Sequence, residues 1–299
     1  MKNNSKKLIG LAGVAAVASA AGATVAFANK TSTALMYRHH KEDDRPSILE
    51  SKYQGKDVYI KNTQGVNLHG VLLEKEGAKS TVLVTHPFAL DCKDMSLYVP
   101  FLKEKLPDSN FLLIDSCAHG QSDGYIRGFG IKDVDDLVKW NDYILKTFGE
   151  DQKIIMFGKE CGANTILNAS GKHLLKNVSC IISDGAYTSP YDILGYRVTK
   201  DYYMPTIPVM PIVSAKVKKA IKINLKNSTI DKVRHNDIPT LYVHTKTDDF
   251  VPLKMVYQLY NNNRGPKTLF ILKDEKYLFE LLEDDDYKKT LDEFLKQYL

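Results

Sequence analysis

Cysteine is scarce in this chain, with four in 299 residues. That excludes the disulfide-dense scaffolds of small secreted domains. Glycine and proline, at 18 and 11, show no excess, and no internal repeat is visible. A collagen-like, low-complexity or wholly disordered chain is therefore excluded. Charge of one sign is also in short supply. The formal net charge is +5, and Lys2, Lys6 and Lys7 stand in the first seven residues, leaving about +2 for the rest. So small a surplus gives no electrostatic footprint for nucleic acid, and no nucleic-acid partner is expected. Histidine is absent from the whole C-terminal part, with none after His244. What is present is an ordinary globular mixture, 43% hydrophobic and 26% charged.

One long uncharged run stands apart. Leu8–Ala28 is 21 residues without a charged side chain, behind a lysine-bearing start. That is the order of a signal peptide, and Ala26-Phe27-Ala28 has the form of its cleavage site. About 20 apolar residues also suffice to span a bilayer, so an uncleaved anchor is the second reading. Both readings keep the three lysines cytoplasmic and place the body of the chain outside. Residues 1–28 are thus a leader or an anchor, with membrane contact through residues 8–28 if uncleaved. Residues 29–56 form a polar lead-in and residues 57–299 a single domain.

From Asp57 the pattern alternates. Val58–Lys61 and Val66–Leu73 are β-rich and separated by a turn at Asn62–Gly65, as in a hairpin. Thr81–Thr85, Phe111–Asp115, Lys153–Phe157, Val178–Ser183, Thr240–Val243 and Thr268–Leu272 are short continuous apolar runs. Such runs suit strands buried on both faces of a parallel sheet. Between them Lys132–Phe148, Cys161–Ser170, Leu253–Tyr260 and Tyr287–Leu299 carry helical patterns. An antiparallel start followed by βαβ repetition predicts an α/β fold with helices on both faces of the sheet. Residues 186–236 break the rhythm with four prolines, several aromatics and the basic run Lys216–Lys222. The stretch is too long for a simple connection and reads as an inserted cap over the carboxyl edge of the sheet, where ligands of open α/β sheets bind. Its lysines read as a solvated helix face.

Four motifs follow strands in order. They are His86-Pro87-Phe88, then Asp115-Ser116-Cys117-Ala118-His119-Gly120-Gln121-Ser122-Asp123-Gly124, then Gly158-Lys159-Glu160-Cys161-Gly162, then Asp248-Asp249-Phe250-Val251-Pro252. In this order and at these intervals the chain resembles the α/β-hydrolase superfamily over Asp57–Leu299. More narrowly it resembles exported or membrane-anchored bacterial members close to serine aminopeptidases and acylglycerol lipases. The resemblance implies a nucleophile on a strained strand–helix elbow, an acid after a later strand and a histidine near the C-terminus. It puts the elbow glycines at Gly158 and Gly162 and the oxyanion-binding backbone amides at Phe88 and Cys161. It puts the nucleophile position at Glu160, the acid at Asp248, and the histidine position near Lys276.

Two of those three positions carry the wrong chemistry. Glu160 has no hydroxyl proton for a base to remove, and relatives with a carboxylate nucleophile still need a histidine to activate water. A lysine at the base position is protonated at neutral pH unless strongly desolvated. Glu160, Asp248 and Lys276 therefore read as a degenerate constellation, with an ion pair among them as one form. Cys161 is the rival nucleophile, with a base such as His86. Its other reading is a small buried hydrophobe. Cys92, Cys117 and Cys161 fall just beyond strand ends with His86 and His119 nearby. Their spacing matches no standard zinc pattern, and a disulfide between two of them is the stronger alternative to a metal. No metal or cofactor is assigned. The expectation is a pseudoenzyme that binds a small apolar or acyl ligand, or a partner, under the cap. The alternatives are an active esterase, lipase or peptidase-like hydrolase and a structural cell-envelope protein.

Overall fold

The computed structural model describes residues 21–38, 48–273 and 282–299. The apolar runs form eight strands: β1 (Lys56–Lys61), β2 (Asn67–Leu73), β3 (Ser80–Thr85), β4 (Ser109–Ile114), β5 (Lys153–Lys159), β6 (Val178–Asp184), β7 (Thr240–Thr245) and β8 (Lys267–Leu272). They build one sheet in the order β1-β2-β4-β3-β5-β6-β7-β8. β2 pairs antiparallel with β1 and with β4, and the remaining pairs are parallel. Every residue of the central strands β3 and β4 is buried, as continuous apolar runs require.

The helices are α1 (residues 21–36), α2 (Ile48–Ser51), α3 (Cys92–Met95), α4 (Val99–Lys105), α5 (Asp133–Phe148), α6 (Cys161–Ser170), α7 (Pro190–Tyr202), α8 (Thr206–Ile221), α9 (Thr229–Val233), α10 (Leu253–Asn262) and α11 (Asp285–Tyr298). They cover both faces of the sheet. On one face Phe101 of α4 and Tyr287 and Phe294 of α11 share a core with Phe111 and Phe157. On the other, Trp140 and Ile144 of α5, Ile166 of α6 and Val256 of α10 pack on Leu83, Met156 and Tyr242. α5 opens with Asp133, Asp135 and Asp136, whose charges suit the positive end of the helix dipole.

The insertion folds as α7, α8 and α9. α8 kinks at Ile207 (φ −104°, ψ 127°), so its regular part begins after that residue. Pro211 then stands in a first turn, where a missing amide proton costs little. α8 presents Val209, Val213 and Val217 to a cluster of their own, and the partner in that cluster is α1. Ala28, Ser32 and Met36, spaced by one turn, are all buried there. The Lys216 ammonium donates to Asn29 O at 3.0 Å and Thr33 Oγ1 at 3.3 Å. Past α1, Tyr37 bridges to Ile126, and the Arg38 guanidinium donates to the carbonyls of Ser122 and Gly120. The polar lead-in is thus partly regular structure. α1 runs through residue 36, and Leu49 of α2 is fully buried in the core. The period-four stripe Ala28-Ser32-Met36 is the signal for this, and it is broken by a serine.

Met36 is 1% exposed. Met36→Ala is expected to lower the unfolding free energy by about 2–4 kcal/mol. The check is the midpoint of denaturant unfolding. An unchanged midpoint would mean that α1 is a passenger on the cap.

Candidate active site

The carboxyl ends of β3, β5, β6 and β7 converge beneath the cap. β5 runs into α6 through a single residue, Glu160, held at φ 51° and ψ −111°. Its N–H donates to Asp184 O at 2.7 Å, and its own carbonyl accepts from Asn164 N at 3.0 Å. This is the strand–helix elbow, and glycine is required on both sides of it. A Cβ at Gly158 would stand 2.7 Å from the Ala163 backbone, and one at Gly162 would stand 2.5 Å from Thr85 Oγ1.

The Phe88 amide of the β3 loop is near enough to the Glu160 carboxyl to favour its charged form. Burial pushes its pKa up to about 7, and the Asp248 charge pushes the same way. Lys159, the Phe88 amide and Arg197 act in the opposite direction. Cys161 begins α6, so its N–H belongs to the first helical turn, which has no intrahelical acceptor.

The β3 loop is fixed by histidines that have no spare capacity. His86 accepts from Ser116 N at Nε2 (2.9 Å), and its Nδ1 donates to Pro87 O (2.7 Å). His119 lies 2.8 Å from Phe88 O through Nε2, and burial lowers its pKa to about 3. His86 is therefore spent on the loop and is no general base.

Asp248 lies on the β7–α10 loop. Its Oδ1 accepts from Phe250 N at 2.7 Å and Val251 N at 2.9 Å, while Oδ2 stands 3.8 Å from His244 Nε2. His244 is buried, donates from Nε2 to Val251 O at 2.9 Å, and has no Nδ1 partner among the described residues. Lys276 lies outside the described residues.

Two residues that the sequence did not single out surround this acid pair. Lys159 makes a 2.9 Å ion pair with Asp184, which also accepts from Tyr98 Oη at 3.3 Å. Arg197 comes down from the cap helix α7, donates to Asp249 O at 2.9 Å, pairs with Asp201 at 2.7 Å and stacks 4.5 Å over the Phe250 ring. The adjacent Lys200 Nζ reaches Asp249 O at 2.6 Å, so α7 is latched to the loop that carries Asp248. Lys159 was hidden as a variable position of the elbow motif, and Arg197 as an ordinary charge in the insertion.

Cys161 is buried in an apolar cluster with Tyr187, Ile193, Val251 and Met255, against which Phe88 packs. Burial raises its thiol well above the usual value, and the Asp133 charge adds to that. The thiolate that a nucleophile requires is disfavoured there. All four cysteines are free, which corrects the reading of a disulfide among them. The grouping of cysteines with His86 and His119 also gives way to a different one. His69, Cys92 and Asp115 bring potential ligand atoms within 4.8 Å of one another. Both His69 nitrogens are already engaged, Nδ1 to Asp115 at 2.7 Å and Nε2 to Asp57 at 2.8 Å. Burial opposes charge on this imidazole, and the two carboxylate hydrogen bonds outweigh it and raise the pKa. The group is a hydrogen-bonded strut for the Asp115–Gly124 loop.

A cleft of about 470 Å³ opens between α7, α9 and α10, lined by Tyr191, Tyr196, Thr206 and Met255 among others. It adjoins the Cys161 cluster through Tyr196 and Met255, and neither Glu160 nor Asp248 lines it.

The sheet order, the elbow and the cap define an α/β-hydrolase fold, and solved structures agree. The chain is similar to the Pyrococcus furiosus esterase Pf2001, with a TM-score of 0.70, 20% identity, and coverage of 88% of this chain and 98% of that one. It is also similar to XC6422 of Xanthomonas campestris, an α/β serine hydrolase without a lid (TM-score 0.54, 16% identity, 82% and 95% covered). In sequence it is similar to YqkD of Bacillus subtilis (strain 168), an uncharacterized protein, at 25% identity over 272 residues, 85% of this chain and 88% of that one. It is also similar to the uncharacterized YfhR of Escherichia coli (strain K12), at 22% identity, with 74% and 71% covered. No family model matches the chain.

The raised Glu160 pKa sets a pH dependence. The folded chain holds this proton more tightly than an unfolded one, whose carboxyl titrates near 4.5. Stability is therefore lost as pH rises from about 4.5 to about 7, and the loss stays constant above that. Glu160→Gln is expected to be more stable than wild type at alkaline pH by about 2–3 kcal/mol, and the gap should close in acid. Denaturant unfolding across that pH range reads the difference directly.

Proposed function

We propose that this α/β-hydrolase-fold protein has lost serine-hydrolase chemistry and acts by binding a small apolar or acyl ligand beneath its cap. The carrying observation is that the elbow apex, where this fold would present a hydroxyl, carries the Glu160 carboxyl. A carboxyl has no hydroxyl proton for a base to remove, so the elbow supplies no hydroxyl nucleophile. The absence of histidine after His244 removes the base that either a serine or a carboxylate nucleophile would need. The apolar cluster of Cys161, Tyr187, Ile193, Val251 and Met255 beside the elbow reaches the neighbouring cleft through Met255, which favours an apolar or acyl group there. The same reading places the protein outside the cell, behind its leader or anchor.

Active hydrolysis through Cys161 is the second reading, favoured only by that thiol's place beside the elbow. Its burial, its raised pKa and the committed hydrogen bonds of His86 count against it.

Purified protein is expected to hydrolyse short-chain nitrophenyl esters no faster than buffer and to resist fluorophosphonate labelling. Glu160→Ser alone should stay inactive, because it restores a hydroxyl without a base. Turnover that vanishes in Cys161→Ala would sink this reading. Native mass spectrometry of protein isolated from its membrane fraction is expected to find a bound acyl compound.

A further inference from the structure

We infer that the leader is retained, and that the cap corner from which it emerges docks on the lipid bilayer, so the domain is held against the membrane in one orientation. This does not depend on whether the protein is a pseudoenzyme. The first support is the position of the A-x-A site. Ala28 is buried within helix α1 against the cap. Cleavage after Ala28 would cut that helix, leave an eight-residue remnant and remove Phe27 and Ala28 from the cap cluster. Helices so short are not self-sustaining.

The second support is direction. Asn29 and Thr33 meet Lys216 in the body of α8, whereas Phe27 packs edge-on against Tyr202 at the end of α7, ring centroids 5.0 Å apart. Passing back along α1 therefore leads to the α7–α8 corner, and the chain upstream of Phe27 leaves the domain there. Upstream lies Leu8–Ala26, 19 uncharged residues closed off by Lys6 and Lys7, close to the length that a hydrocarbon core demands. Among the described residues no helix is long and apolar enough to cross a membrane.

The third support is the corner's own surface. Tyr202 and Tyr203, at the end of α7, are 58% and 92% exposed, and Ile207, at the start of α8, is 74% exposed. Val25, two residues ahead of Phe27 in α1, is 44% exposed. Tyrosines flanking an apolar side chain next to an apolar segment have the chemistry of a membrane interface, where the ring sits at headgroup depth. The packing of α1 on α8, together with the Arg38 hydrogen bonds to the Ser122 and Gly120 carbonyls, makes the link stiff. The bilayer therefore meets one corner and no other.

The single tryptophan, Trp140, is fully buried and gives a constant background for a reporter. Full-length Tyr203→Trp and Tyr59→Trp proteins would be reconstituted into phosphatidylethanolamine–phosphatidylglycerol vesicles doped with lipid brominated near the headgroup. Tyr59 is exposed on the edge strand β1 and serves as the distant control. Quenching about twofold stronger for Tyr203→Trp is expected from a ring seated in the interface. N-terminal sequencing of the protein recovered from the producing cells should read from the start of the leader. Equal quenching at both positions overturns the docking, including the case in which a protein partner covers the corner. A mature chain that begins at Asn29 overturns retention.

Discussion

One backbone geometry organises the carboxyl edge of this sheet: the left-handed turn at Glu160. A residue with a side chain in such a conformation costs about 1–3 kcal/mol and persists only where its surroundings over-determine it. Here they do. The Glu160 amide is held by Asp184 O, its carbonyl by Asn164 N, and the flanking glycines let α6 lie directly on β3 and β5. Asn164 also holds the Tyr187 backbone and Thr229, so the same turn fixes the entry to the cap. The residue that this costly turn presents is a glutamate, a carboxyl with no hydroxyl.

Charge then alternates around that turn. Glu160 and Asp248 repel, Lys159 answers them from the elbow but is itself tied to Asp184, and Arg197 answers from the cap. Because Arg197 and Lys200 grip the loop carrying Asp248, cap position and site electrostatics are not separable. Moving α7 away would remove a cation from a carboxyl that already titrates near neutrality. A site of this kind is poised between a neutral and a charged form, and the cap has a hand in choosing between them.

Much of the sheet was legible in advance because buried parallel strands demand uninterrupted apolar runs, as in Thr81–Thr85 and Phe111–Ile114. The strand order was not legible, since no periodicity in β2 announces that it will pair with β4 and leave β3 on the far side of that strand. The elbow and Asp248 could be read because glycine spacing and the D-x-x-V-P turn are local signals. Lys159 and Arg197 could not, because a lysine in a variable motif position and an arginine in a charged helix look like solvated side chains until the tertiary contact is known. α1 was obscured for a different reason. Its buried stripe holds an alanine and a serine where a helix normally shows leucines, and it overlaps a segment whose composition advertises export.

The docking of α1 on α8 also has a place in time. Asn29 and Lys216 are separated by 187 positions. At ordinary rates of synthesis, α1 leaves the ribosome roughly ten to forty seconds before the helix that will cover it exists. During that interval its apolar stripe is without the helix that will cover it. The cap thus closes onto a part of the chain that was made long before it.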